Sequence, residues 1–187
     1  MHYLRQLNTS TRVLIAEISF LVLAASLLTV LHFPKFLPTN VYLFLHITGA
    51  VLFIGNVVVT GVWMVWAERT KDTRVIAFAT RAVSWADAFF TGPGVVLLLL
   101  SGLLMAPNCD ECTQGFATHW IIAGLALFGI SGALWLVLLI YQNTLLKSLS
   151  SNPSKFYKTL HRWYFVGILN TVIPLVILAI MATKPAF

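Results

Sequence analysis

The chain alternates long apolar runs with short polar breaks. Runs at about 13–33, 41–67, 84–106, 118–141 and 162–183 each reach the roughly twenty residues that a helix needs to cross the hydrocarbon core of a bilayer. Lipid offers no partner to a backbone N–H or C=O, so runs of this length fold as helices. The pattern predicts an all-α polytopic membrane helix bundle: one integral membrane domain over residues 1–187, with five transmembrane helices and short connections.

Polar positions inside the runs are ordered. In the second run, VYLFLHITGAVLFIGNVVVTGVWMVWAERT, His46, Gly49, Phe53, Asn56, Thr60 and Trp63 recur at intervals of three and four and share one helical face, with Leu45, Leu52 and Val59 off it. An imidazole and a carboxamide in a span turn toward other helices or a bound ligand. Asp87, Thr91, Gly94, Leu98, Ser101 and Met105 form a second such stripe. In its middle lies Gly92-Pro93-Gly94, where Pro93 lacks an N–H and releases the carbonyl of Phe89, which predicts a kink. The charged, helically periodic segment before it, from Arg74, is expected to be an interfacial helical extension that then enters the membrane. The fourth run places Gly124, Phe128, Ser131 and Trp135 on one face, as close helix packing requires. In the fifth, Asn170 and Pro174 are four apart, so the proline frees the carbonyl of a residue that also carries an amide.

Charge sets the orientation. Only 10% of the residues are charged, against about 25% in soluble domains, and 59% are hydrophobic. The net charge of +6 lies between spans and forms no basic stripe on a soluble face, which argues against a nucleic-acid partner. With the N terminus cytoplasmic, Arg5, Arg12, Arg69, Lys71, Arg74, Arg81, Lys147, Lys155, Lys158 and Arg162 fall inside and only Lys35 and Lys184 outside, as the positive-inside bias of short loops demands. No small-residue cleavage site follows the first run at signal-peptide length, so it reads as a retained span. The lipid bilayer is the expected surrounding partner, and faces rich in glycine and aromatics permit a homodimer or a place in a membrane complex.

Three constellations could carry chemistry. His46, one to two turns below the outer surface, could ligate iron or copper or simply hydrogen-bond a neighbouring helix. The topology also brings His32, Met105, Cys109, Cys112, His119 and Met181 to the outer side: thioether, thiolate and imidazole suit copper(I), and two imidazoles suit haem. Cys109 and Cys112, on the usually oxidising side, favour a disulfide over a metal site or an exchanging dithiol. Asp87, with Asn56, Thr60, Thr91 and Asn170, forms a polar set that could be structural, could pair with Arg81 or Arg162, or could carry a proton. Glu17 reads as a carboxylate snorkelling to the inner interface. No phosphate-binding loop, nucleophile elbow, dinucleotide fingerprint or H-E-x-x-H occurs, so nucleotide and hydrolytic chemistry are not expected.

The succession LHITGAVLFIGNVVVTGVW, AERTKD, VIAFATRAVSWADAFFTGPGVVLLLLSG, HWIIAGLALFGISGALWLVLLIYQ and VIPLVILAIMATKP resembles the bacterial integral membrane family named domain of unknown function 2269, over about residues 41–185. That resemblance implies a bacterial inner-membrane protein and no particular activity. More distantly, LHITGAVLFIG is similar to the first histidine-bearing helix of the membrane protoporphyrinogen oxidases and the copper-resistance D family. It implies haem b on His46. The lysine expected in a later helix is absent from the spans, and His119 or Met105 would be the second axial ligand. The expected function is therefore an integral membrane redox protein binding haem b near the outer face through His46, His119, Met105 and the adjoining Asn56. The alternatives are a copper- or ion-handling transport protein and an accessory subunit with no site of its own.

Overall fold

A computed structural model of the chain describes residues 37–108, 115–148 and 152–185, with isolated helical positions between 12 and 26. Four helices among the described residues are long and apolar enough to cross a membrane. The first expected span, 13–33, otherwise lies outside the described residues, as do Glu17, His32, Cys109 and Cys112.

Helix α1 runs Thr39–Arg69. Helix α2, Thr73–Ala86, passes through a π turn at Asp87–Thr91 into α3, Gly92–Met105, so that the expected extension and span are one helical path. Helix α4 is His119–Ser148 and α5 is Pro153–Thr183. Both overrun the apolar runs that announced them, because polar flanks can continue a helix beyond the hydrocarbon. No strand occurs among the described residues.

Local chemistry sets the joints. Thr70 and Lys71 reverse the chain after α1, with Lys71 at φ 55°, in the left-handed region. Asp72 then caps α2, accepting from Arg74 N at 2.8 Å, and Asn152 caps α5, accepting from Lys155 N at 2.9 Å with Pro153 next to it.

The helices pack chiefly as α1 on α3 and α4 on α5, with α2 bridging α1 and α4. At the basic end, Met64, Ile76, Val83, Leu138, Leu145, Phe156 and Leu160 form the main apolar core, and Tyr164 of α5 donates to the Met64 carbonyl of α1 at 3.0 Å. At mid-depth Ala88, Trp135 and Leu139 cluster, with Ile18 of the N-terminal segment against them. Towards the opposite end Phe53 and Val95 meet, and the Phe53 ring lies edge-on to Phe128 at 6.4 Å. Many large apolar side chains face outward, among them Trp66, Phe78, Phe89, Phe165 and Ile168, as lipid-facing surfaces do.

The stripes hold with one drift. Gly49, Phe53 and Thr60 are buried, but Trp63 is 51% exposed and Met64, one residue on, takes its place. Asp87, Thr91, Gly94 and Ser101 of the second stripe are all buried.

Candidate functional site

Two polar sites lie on the faces that the stripes mark. The deeper one is centred on Asp87, the first residue of the π turn, 5% exposed. Here the Gly92 N–H reaches back to the Asp87 carbonyl, one residue further than in an α-helix, and Pro93 has no N–H to give. The wide turn brings Thr91, wholly buried, beneath the Asp87 carboxylate.

Three elements hold that carboxylate. Asn56 Nδ2 of α1 donates to Asp87 Oδ1 at 3.1 Å and to Thr91 Oγ1 at 2.8 Å, and Thr91 Oγ1 donates to Oδ1 at 3.2 Å. Gln142 Nε2 of α4 donates to Oδ2 at 2.8 Å. Ser84 Oγ of α2 lies 3.2 Å from Gln142 Oε1 and 3.1 Å from the Thr80 carbonyl. Ser84 and Gln142 are themselves buried.

The sequence placed Asn56, Thr91 and Asp87 together, and the structure joins them. It differs elsewhere. Asn170 accepts from Ser131 Oγ at 2.7 Å in the α4–α5 contact, and Thr60 donates to the Asn56 carbonyl on its own helix at 2.7 Å, so each has a local partner in place of Asp87. The basic partners considered for Asp87, Arg81 and Arg162, are exposed, while Asn56, Thr91 and Gln142 hold it with neutral dipoles. Asn56 was also expected beside a cofactor, but both hydrogens of its amide are committed to Asp87 and Thr91. Gln142 and Ser84 were not foreseen. The signal for Gln142 was the α4 stripe itself, since Trp135 plus seven is 142, one residue past the end of the apolar run.

The second site surrounds His46, half-buried on α1. Its Nδ1 lies 2.7 Å from the Leu98 carbonyl of α3 and 3.4 Å from Ser101 Oγ, which in turn donates to the Leu97 carbonyl. A carbonyl only accepts, so the short contact assigns the proton to Nδ1 and leaves Nε2 with its lone pair. Gly102 supplies clearance: a Cβ there would be 3.0 Å from His46 Cε1. Met105 continues the same α3 face and is half-buried, whereas His119 opens α4 with its side chain exposed. Among the described residues no three His, Cys, Asp or Glu side chains gather to hold a metal ion, and His32, Cys109 and Cys112 lie outside those residues.

The chemistry of these groups bears on a haem as follows. A histidine that ligates iron or copper characteristically donates its other ring N–H to a carbonyl or carboxylate, which fixes the tautomer and the ring plane. His46 meets that requirement through Leu98, and Met105 offers a thioether on the same face.

Comparison with known proteins gives the class. No curated protein and no solved structure matches the chain. The family model described as "Predicted integral membrane protein (DUF2269)" matches residues 40–185, which takes in all four described spanning helices and both polar sites. The chain, an all-helical membrane protein by its fold and by this match, therefore belongs to the DUF2269 family.

Proposed function

We propose that this is an integral membrane redox protein that binds haem b near one membrane face, held through His46, for electron transfer or for oxidation of a membrane-soluble compound. The observation that carries this reading is the hydrogen bond between His46 Nδ1 and the Leu98 carbonyl, which leaves Nε2 as the unprotonated ring nitrogen with a lone pair to give a metal. Bound haem would supply one-electron chemistry. The chain's own part is to hold the imidazole through Leu98 and Ser101 and to seat the ring against Gly102, whose lack of a side chain admits it. Met105 or His119 would be the second residue to hold the group.

The reading includes a setting: a bacterial inner membrane, a fifth span over about residues 13–33, the N terminus in the cytoplasm and Cys109 and Cys112 in an outer loop, joined as a disulfide. The bases at and beside the α1–α2 joint (Arg69, Lys71, Arg74) and in the helix ends that flank the α4–α5 joint (Lys147, Lys155, Lys158) support that orientation. A homodimer would cover part of the apolar outer surface.

Absorption spectroscopy with metal analysis on one purified sample, from cells supplied with haem, tests the proposal. A Soret band that is lost in His46→Ala is the expected result; a colourless wild-type protein, or an unchanged spectrum in the variant, overturns it. Copper in place of iron on that sample would favour the copper-handling reading, which draws on the thioether and imidazole groups at the same end of the bundle.

A further inference from the structure

The Ser84 hydroxyl has one hydrogen and two acceptors at nearly equal distance: the Thr80 carbonyl at 3.1 Å and Gln142 Oε1 at 3.2 Å. Gln142 joins this hydroxyl to the Asp87 carboxylate, because its Nε2 donates to Oδ2 at 2.8 Å while its Oε1 faces Ser84. A carboxamide presents a donor on one side and an acceptor on the other, and a half-turn about its last bond exchanges them without moving the helix.

We propose that Asp87 is a reversible proton-binding site and that Gln142 and Ser84 form a hydrogen-bond chain whose direction reverses when the proton arrives. With Asp87 ionised, Gln142 Nε2 donates to Oδ2 and the Ser84 hydroxyl donates to Gln142 Oε1. Uptake of one proton on Oδ2 neutralises the carboxylate and makes that oxygen a donor. The Gln142 amide then turns, Oε1 accepts from Oδ2–H, Nε2 donates to Ser84 Oγ, and the Ser84 hydroxyl rotates to donate to the Thr80 carbonyl. Asn56 and Thr91 keep their bonds to Oδ1 throughout. Both settings pair these polar atoms, and a buried polar cluster is stable only when it is paired.

The groups around Asp87 suit a bound proton. Asn56 comes from α1, Thr91 from the π turn and Gln142 from α4, and each is neutral. Among the described residues the other titratable groups of the packed elements have these settings. Arg81 on α2 and Arg12 of the N-terminal segment are exposed, Tyr141 beside Gln142 packs against the apolar core, and Tyr164 of α5 donates to the Met64 carbonyl. An ionised carboxylate among neutral dipoles inside a membrane is costly, and taking up a proton removes that charge. The π turn adds a structural reason, since such turns are frequent at functional sites.

Infrared difference spectra of the reconstituted protein across a pH step test this, and they read the same whether or not the sample carries haem. On lowering the pH, a carboxylic-acid C=O band is expected together with a change in a side-chain amide band. Asp87→Asn removes both, and Gln142→Met removes the amide change. Ser84→Ala takes a partner from each setting but two bonds from the protonated one, so uptake should need about tenfold more protons. A wild-type spectrum without the acid band, an acid band that survives Asp87→Asn, an amide change that survives Gln142→Met, or an unmoved transition in Ser84→Ala would overturn the proposal. Should Asp87→Asn fail to fold, the two milder variants still decide it.

Discussion

Gly49 and Gly94 meet backbone to backbone where α1 crosses α3, and neither has room for a side chain. A Cβ on Gly49 would lie 2.6 Å from both the Gly94 carbonyl oxygen and the Leu98 nitrogen, and one on Gly94 would lie 2.9 Å from the Phe53 nitrogen. In lipid there is no hydrophobic force between apolar helices, so close backbone approach supplies the packing. The same approach carries His46 to the Leu98 carbonyl, one turn along α3 from Gly94.

Gly49→Ala should therefore push α1 from α3 and lower stability by about 1–3 kcal/mol, the usual range for overpacking. Gly55→Ala, at a position with no atom within 4 Å of the added Cβ, should be neutral or slightly stabilising. Thermal unfolding in detergent compares the two. Equal losses would show that the crossing is not the tight point.

Gly102→Ala should crowd the His46 ring, because the new methyl would sit 3.0 Å from Cε1 and 3.2 Å from Nδ1. The ring must shift by a few tenths of an ångström, which disturbs its bond to Leu98. A changed His46 ring signal by NMR with labelled histidine is expected, together with a displaced Soret band if haem is bound. An unaltered histidine signal would place the ring elsewhere.

Asn56→Leu should destabilise more than an ordinary surface change, by about 1–3 kcal/mol, since it takes a donor from Asp87 and Thr91 in a buried place. The double variant Asn56→Leu with Asp87→Leu should recover part of that loss, because no buried carboxylate is then left short of a donor. A double-mutant cycle on unfolding free energies measures it. Additive losses would show that Asn56 and Asp87 do not act together.

Lys71→Gly should stabilise the turn between α1 and α2. Lys71 sits at φ 55°, where a side chain costs roughly 1 kcal/mol and glycine does not. A higher midpoint of thermal unfolding is the expected outcome.

The sequence made four of the five expected spans legible because length and hydropathy alone decide them in lipid, and it made legible the face that runs from Asp87 in the π turn to Met105 at the end of α3. Its stripe on α1 failed at Trp63 for a geometric reason. Alternating steps of three and four average 3.5 residues, an α-helix turns every 3.6, and after two heptads the face has rotated enough for Met64 to replace Trp63. Gln142 was missed because an apolar run ends where lipid ends, whereas α4 continues to Ser148. Asn170 was assigned to Asp87 because the sequence yields depth along each span and not which neighbour a face meets; that depth was shared by Ser131. The π turn depends on a hydrogen bond five residues back, which Gly92-Pro93-Gly94 allows without specifying.

The bond from Ser131 to Asn170 has a bearing on how α4 and α5 find each other. Two greasy cylinders side by side in oil have almost no preference for one rotation over another, because every meridian is equally content with acyl chains. A hydroxyl and a carboxamide that can satisfy each other at one angular setting act as a key and keyway. Swapping both for valine and leucine would remove that key and leave the angular setting to side-chain packing alone, such as that of Leu138 and Leu145 with Phe156 and Leu160.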